Sequence, residues 1–178
     1  GLGPLSVSSV PLSLGIFTQS GGTLTQSGGV FTNTGTATFS GGSETFSGSA
    51  LFQATAINLN NAMSINGGTV QSTSVTGIAI GSGSVITMGG GTLDAGTNSG
   101  TIANAGTITG KGVLMGGING AGQVTASGGT LEVTSNVGSG VTFNIGNTAS
   151  SVLRFDGTEA SGHTVTFNSG NVGVLELN

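Results

Sequence analysis

A short motif returns at nearly even spacing along this chain: a Gly, one small or branched residue, then a large apolar one. It reads Gly22-Thr23-Leu24, Gly68-Thr69-Val70, Gly91-Thr92-Leu93, Gly112-Val113-Leu114, Gly129-Thr130-Leu131 and Gly173-Val174-Leu175, with weaker copies at Glu44-Thr45-Phe46 and Ser151-Val152-Leu153. The large apolar members fall at positions 24, 46, 70, 93, 114, 131, 153 and 175. A period of roughly 22 residues marks a stacked repeat architecture, in which each unit buries its apolar face only against its neighbours. Within a repeat the apolar residues recur about every six positions, as at Ile102, Ile108, Leu114, Ile118 and Val124. That rhythm predicts three short strands per repeat, turned at Gly or Asn corners that tolerate positive φ.

The expected fold class is therefore all-β: a parallel β-solenoid (β-helix) of about eight coils, three short strands to a coil. Coils stacked at the inter-strand spacing give a rod of roughly 35–40 Å. A β-sandwich would instead place turns roughly every 8 to 12 residues between longer alternating strands. Composition closes the other routes. With 37 Gly among 178 residues and only 4% charged positions, no stretch supports an amphipathic helix, since each helical Gly costs about 1 kcal/mol relative to Ala. Disordered chains pair low hydrophobicity with high net charge, whereas this one has a mean hydropathy of +0.31 and a net charge of −4. Collagen fails for want of a three-residue Gly period.

Alternation assigns faces. If the large apolar residue of each motif points inward, the following residues form an outward column of Asp94, Met115, Glu132, Arg154 and Glu176, with Glu132, Arg154 and Glu176 as an exposed ion ladder. The preceding residues form a second column, Thr23, Thr45, Thr69, Thr92, Val113, Thr130, Val152 and Val174. Val141-Thr142-Phe143-Asn144 recurs one coil later as Val165-Thr166-Phe167-Asn168, which suggests stacked Phe rings beside an Asn ladder.

Residues 1–17 do not follow the rhythm, and Pro4 and Pro11 hold the run Leu12, Leu14, Ile16 and Phe17 in extended chain. The expected domain division is accordingly a leader at 1–17, serving as a cap or an inter-subunit strand, and the solenoid at 18–178. At the other end Leu175-Glu176-Leu177-Asn178 lies inside a strand copy without a polar cap. Solenoids normally cap their ends, so more chain or a neighbouring subunit is expected to cover this coil. Leu12, Leu14, Ile16, Phe17, Leu175 and Leu177 are the expected inter-subunit residues.

Candidates for chemistry are few. Arg154, Asp156, Glu159 and His163 form the one cluster of ionisable groups, and it reads as a solvated loop between Phe155 and Val165, matching no catalytic motif. The Gly-rich run 116–122 has no helix after it to receive a dinucleotide, and Asp94 and Asp156 are too sparse for calcium-binding repeats. Neither an enzyme nor a cofactor or metal is expected. Two basic residues, Lys111 and Arg154, argue against nucleic acid. No apolar run reaches the roughly 18 residues of a membrane helix.

The segments Gly91-Thr92-Leu93-Asp94, the run 100–110 with its two Gly-Thr-Ile copies, and Gly128-Gly129-Thr130-Leu131-Glu132-Val133 resemble the passenger repeats of bacterial autotransporters and filamentous-haemagglutinin-like giant adhesins. The resemblance covers roughly residues 20 to 178. It implies a right-handed β-helix, export to the bacterial surface or matrix, and a structural role, and it carries over no functional residues. The expected function is an extracellular filament subunit or adhesin shaft segment that self-associates end to end. A module that binds ice or polysaccharide through a flat Thr-rich face is the alternative, and a polysaccharide or a host or abiotic surface is the expected partner beyond the chain itself.

Overall fold

A computed structural model describes residues 4–8, 11–96, 100–158, 163–170 and 172–178. Among these the protein is all strand and no helix, and its strands pair in parallel as a β-solenoid of about eight turns. Three inner columns of side chains run along the axis. The first face stacks Leu5, Leu24, Glu44, Met63, Ile86, Ile108, Val124, Phe143 and Val165. The second stacks Leu12, Phe31, Phe52, Val70, Leu93, Leu114, Val133, Phe155 and Leu177. The third runs Phe17, Ala37, Ile57, Ile78, Ile102, Ile118 and Val137. Coil length along the second column is uneven, shortest from Phe52 to Val70 and longest from Val70 to Leu93, because corners absorb extra residues while faces do not.

The corners are shallow enough for one extended run to pass through several faces. β4 (Val30–Ser47) continues unbroken for 18 residues and supplies Phe31 to the second face, Ala37 to the third and Glu44 to the first. The expectation of three separate short strands per coil thus holds for some coils only. Where the corner is tight, Gly is required. In β11 (Thr107–Met115) the register shifts around Lys111, between Gly110 at φ 121° and Gly112 at φ 138°. A Cβ at these two positions would overlap the carbonyl oxygens of Met88 and Gly91 on the coil below.

That shift overturns the single motif column expected from sequence. Leu24 stands on the first face, whereas Val70, Leu93 and Leu114 stand on the second. Leu114 pairs with Val133, not Leu131, and Leu131 sits opposite Gly112, with Leu153 and Leu175 above it. The outward column splits with it: Asp94 neighbours Met115, while Glu132 neighbours Val113. The expected Phe stack is also displaced, with Phe143 on Val165 and Phe167 on Ile145. Phe143 instead packs edge-on to Phe155 across the same core, ring centroids 5.0 Å apart.

The core is densest in the N-terminal coils. Phe31, Phe39, Phe46 and Phe52 are fully buried, and Phe17, Phe39 and Phe46 all lie 5.4 to 6.2 Å from the Phe52 ring. Full burial of each such ring contributes about 1.5–3 kcal/mol, and edge-to-face pairs add to that. Buried amides turn the chain where no apolar residue can. Gln26, inward between Val7 and Phe46, donates from Nε2 to the carbonyls of Gly29 at 2.9 Å and Leu51 at 3.0 Å. Asn104 accepts from the Gly106 N–H at 3.1 Å, closing its own corner.

The division at residue 17 does not mark a break in the stack. β1 (Leu5–Val7) pairs with Leu24–Gln26, and β2 (Leu12–Leu14) pairs with Phe31–Asn33, so both are strands of the first coil. β3 (Phe17–Gln26) crosses the expected boundary without interruption.

Candidate functional site: the terminal rungs and the outward faces

At the N-terminal end Leu12, Leu14 and Phe17 are half-buried against the core. Phe17 is anchored by Phe31, 5.2 Å away and nearly perpendicular to it. Ile16 alone of the four is turned outward, at 78% exposure. At the C-terminal end β17 (Val174–Leu177) pairs with β15 (Val152–Phe155) on one side, and β16 (Val165–Phe167) pairs with β14 (Thr142–Ile145). No strand covers the outer edges of β16 and β17 among the described residues. Leu175 still packs on the core, whereas Leu177 is 69% and Phe167 42% exposed.

Glu132, Arg154 and Glu176 come together on successive coils. Arg154 Nε lies 2.7 Å from Glu176 Oε2, and its Nη1 lies 3.7 Å from Glu132 Oε2. Asp156, on the neighbouring outward position, accepts from Asn178 Nδ2 at 2.6 Å. The Asp156 carboxyl is hydrogen-bonded with Glu132, which holds Glu132 above the usual carboxylate range with burial adding to the effect. Asp156 itself is held below that range by Asn178 and Glu132. The guanidinium of Arg154 is stabilised in its charged form chiefly by Glu176. The group is an ion ladder on the last coils of the second face.

The loop cluster read from sequence does not converge. Arg154 and Asp156 belong to the ladder, His163 packs on Phe143 at a centroid distance of 6.1 Å, and Glu159 lies outside the described residues. A groove of about 520 Å³ runs along the corner after Met115, with Asp94 as its acidic residue. That carboxylate is already held by Gln71 Nε2 at 2.6 Å and the Gly96 N–H at 2.8 Å, and Gln71 accepts in turn from Gln53 at 2.6 Å. The amide ladder Gln53–Gln71–Asp94 was not expected from sequence, though the three residues share one outward register.

Sequence reasoning also missed two features of the first face. Glu44, which stands at the Gly position of a motif copy, points inward between Leu24 and Met63 and is 1% exposed. Asn61 Nδ2 donates to both of its oxygens, at 2.9 and 2.8 Å, but burial dominates and pushes its pKa up to about 7. The other is the outward column beside it: Ser6, Thr25, Thr45, Ser64, Thr87, Thr109, Thr125, Asn144 and Thr166 stand on consecutive coils. The Thr column expected at 23, 45, 69 and 92 mixes two faces, because Thr45 pairs with Thr25 while Thr69 pairs with Thr92.

Comparison with protein families, curated proteins and solved structures finds no match to this chain.

Proposed function

We propose that this chain is an extracellular structural solenoid, a filament subunit or adhesin shaft segment, whose coils continue end to end into those of a neighbour. The observation that supports this reading is the chemistry of the two terminal rungs. In the same columns, Leu177 and Leu12 are the last and first members of the second face, and Val165 and Leu5 those of the first. Stacking one copy on the next sets Leu177 under Leu12 and Val165 under Leu5, so these two inner columns continue apolar on apolar. Outward, Thr166 meets Ser6 in the same way. Pro4 and Pro11 lie outside β1 and β2, and every residue of those strands retains its N–H for pairing. A head-to-tail contact of this kind is heterologous and propagates into a fibre unless it closes. A low net charge offers little repulsion to that growth, and a Cys-free, low-charge composition suits an exported bacterial surface protein.

Sedimentation and negative-stain microscopy of the chain over a concentration series provide the test. Wild-type protein is expected to form rods whose length grows with concentration, and Leu177→Asp to remain a single short rod with an unchanged circular dichroism spectrum. Wild-type protein that stays monodisperse at every concentration refutes end-to-end stacking.

A further inference from the structure

The first face carries an array of hydroxyl groups that nothing inside the protein uses. Its central outward column is Ser or Thr on eight of nine consecutive coils, from Ser6 to Thr166, with Asn144 as the exception. A flanking column, one outward position earlier on each strand, reads Thr23, Ser43, Ala62, Val85, Thr107, Gln123 and Thr142. No charged side chain stands in either column. Hydroxyls at the corners behave differently: Thr55 donates to the Thr34 carbonyl at 2.8 Å, Ser72 to Thr55 at 2.9 Å and Ser84 to Leu59 at 2.9 Å. Along the central column of the first face, no hydroxyl makes a hydrogen bond within the described residues. Asn144, in the same column between Thr125 and Thr166, is only 7% exposed, and its Nδ2 has no partner. A nine-tenths buried amide left without an acceptor is costly, and it stands in a column whose other members are half-exposed or exposed hydroxyls.

The array is also regular. Every register shift in the ladders falls at or beside a corner, around Gln19–Thr23, Asn33–Thr36 and Gly110–Val113, and none interrupts the first face between Thr23–Gln26 and the coils above it. Side chains are therefore held on a two-dimensional grid, about 4.8 Å along the axis and about 6.7 Å across it.

We infer that this face is a binding surface for an ordered, uncharged hydrogen-bonding lattice, and that its partner is crystalline water. Three observations select ice over other occupants. The grid spacings lie within about a tenth of the oxygen repeats on the prism plane of hexagonal ice, so hydroxyls on neighbouring coils fall close to neighbouring lattice sites. Threonine presents a methyl beside each hydroxyl, which leaves first-shell water ordered but not bound in a competing arrangement. A carbohydrate site draws on aromatic platforms and charged or amide hydrogen-bonding pairs, whereas this face bears no ring and no charge, and the chain has neither Trp nor Tyr. A second copy fits poorly, because the face offers roughly 500 Å², short of the roughly 800 Å² per partner of a stable interface, and docking would bury unpaired hydroxyls. The inference does not depend on end-to-end stacking, since one rod carries the whole array.

The test compares Thr109→Lys, at the middle of the central column, with Thr92→Lys on the second face. Both are read by thermal hysteresis and by incorporation into a slowly growing ice hemisphere, with the protein diluted until it is a single rod. Wild type and Thr92→Lys are expected to shape ice and enter it, and Thr109→Lys to lose at least about tenfold of both activities while its melting temperature stays unchanged. Wild-type protein without hysteresis or ice entry overturns the inference. So does equal activity in the two variants. Binding to crystalline cellulose or chitin that Thr109→Lys abolishes, without ice activity, also overturns it and reassigns the face to polysaccharide.

Discussion

Glu44 stands where eight other coils place a neutral, apolar residue, between Leu24 and Met63 and 1% exposed. Its pKa of about 7, against 4.5 for a free carboxyl, means that the folded state prefers the protonated form. The sign follows from linkage. Below about pH 4.5 the group is neutral in both states and costs nothing; between there and about pH 7 the unfolded chain ionises first, and stability falls as pH rises. The gap between the two values corresponds to about 3 kcal/mol, fully expressed above pH 7. Glu44→Gln removes the ionisation and keeps the shape, and its Oε1 can still accept from Asn61 Nδ2. The variant is expected to match wild type at about pH 4 and to exceed it at about pH 8 by about 3 kcal/mol, a melting-temperature gain of roughly 6–12 °C for a chain of this size. Thermal melts by circular dichroism across that range, at a dilution that suppresses assembly, read the difference directly. Glu132, whose carboxyl is also held above the usual range by Asp156, is common to both proteins and cancels in the comparison. A variant no more stable than wild type at alkaline pH, or a gain independent of pH, refutes the burial of an ionisable Glu44.

Phe52→Ala, at the meeting point of the N-terminal rings, is expected to cost about 3–5 kcal/mol, as for other buried Phe truncations, and urea denaturation against Phe167→Ala, whose ring is half-exposed, checks it with a much smaller loss in the second variant. Arg154→Met leaves Glu132, Asp156 and Glu176 facing one another without their cation, so its melting temperature is expected to fall below that of wild type at neutral pH and low salt. Molar salt screens that repulsion, and acidification below the carboxylate range removes it; a deficit that persists under both conditions assigns the loss to packing of the arginine stem instead.

The inner columns were legible in the sequence because stacking demands only that an apolar residue return once per coil. What was not legible is register. Leu131 and Val133 are equally good candidates to stand on Leu114, and the choice between them is made at the Gly110-Lys111-Gly112 corner, where the ladder shifts. Two glycines at positive φ admit that shift without marking it in the pattern of apolar residues. The ion ladder was readable despite this because Glu132, Arg154 and Glu176 lie above the last shift, where successive coils are equal in length and keep true register.

The same reasoning explains why the hydroxyl face is not legible in the motif pattern. A motif anchored on Gly places Thr45 beside Thr69, but pairing places Thr45 between Thr25 and Ser64. The signal that finds the face is a triplet of a polar or small residue, an inward residue and a Ser or Thr, as in Thr23-Leu24-Thr25, Thr107-Ile108-Thr109 and Gln123-Val124-Thr125. A slip of a whole pleat preserves alternation while moving every outward side chain to a new column. Inner columns survive such a slip because one aliphatic residue replaces another. Outer columns do not, because a Thr, a Val or an Asp in the same place presents different chemistry to solvent.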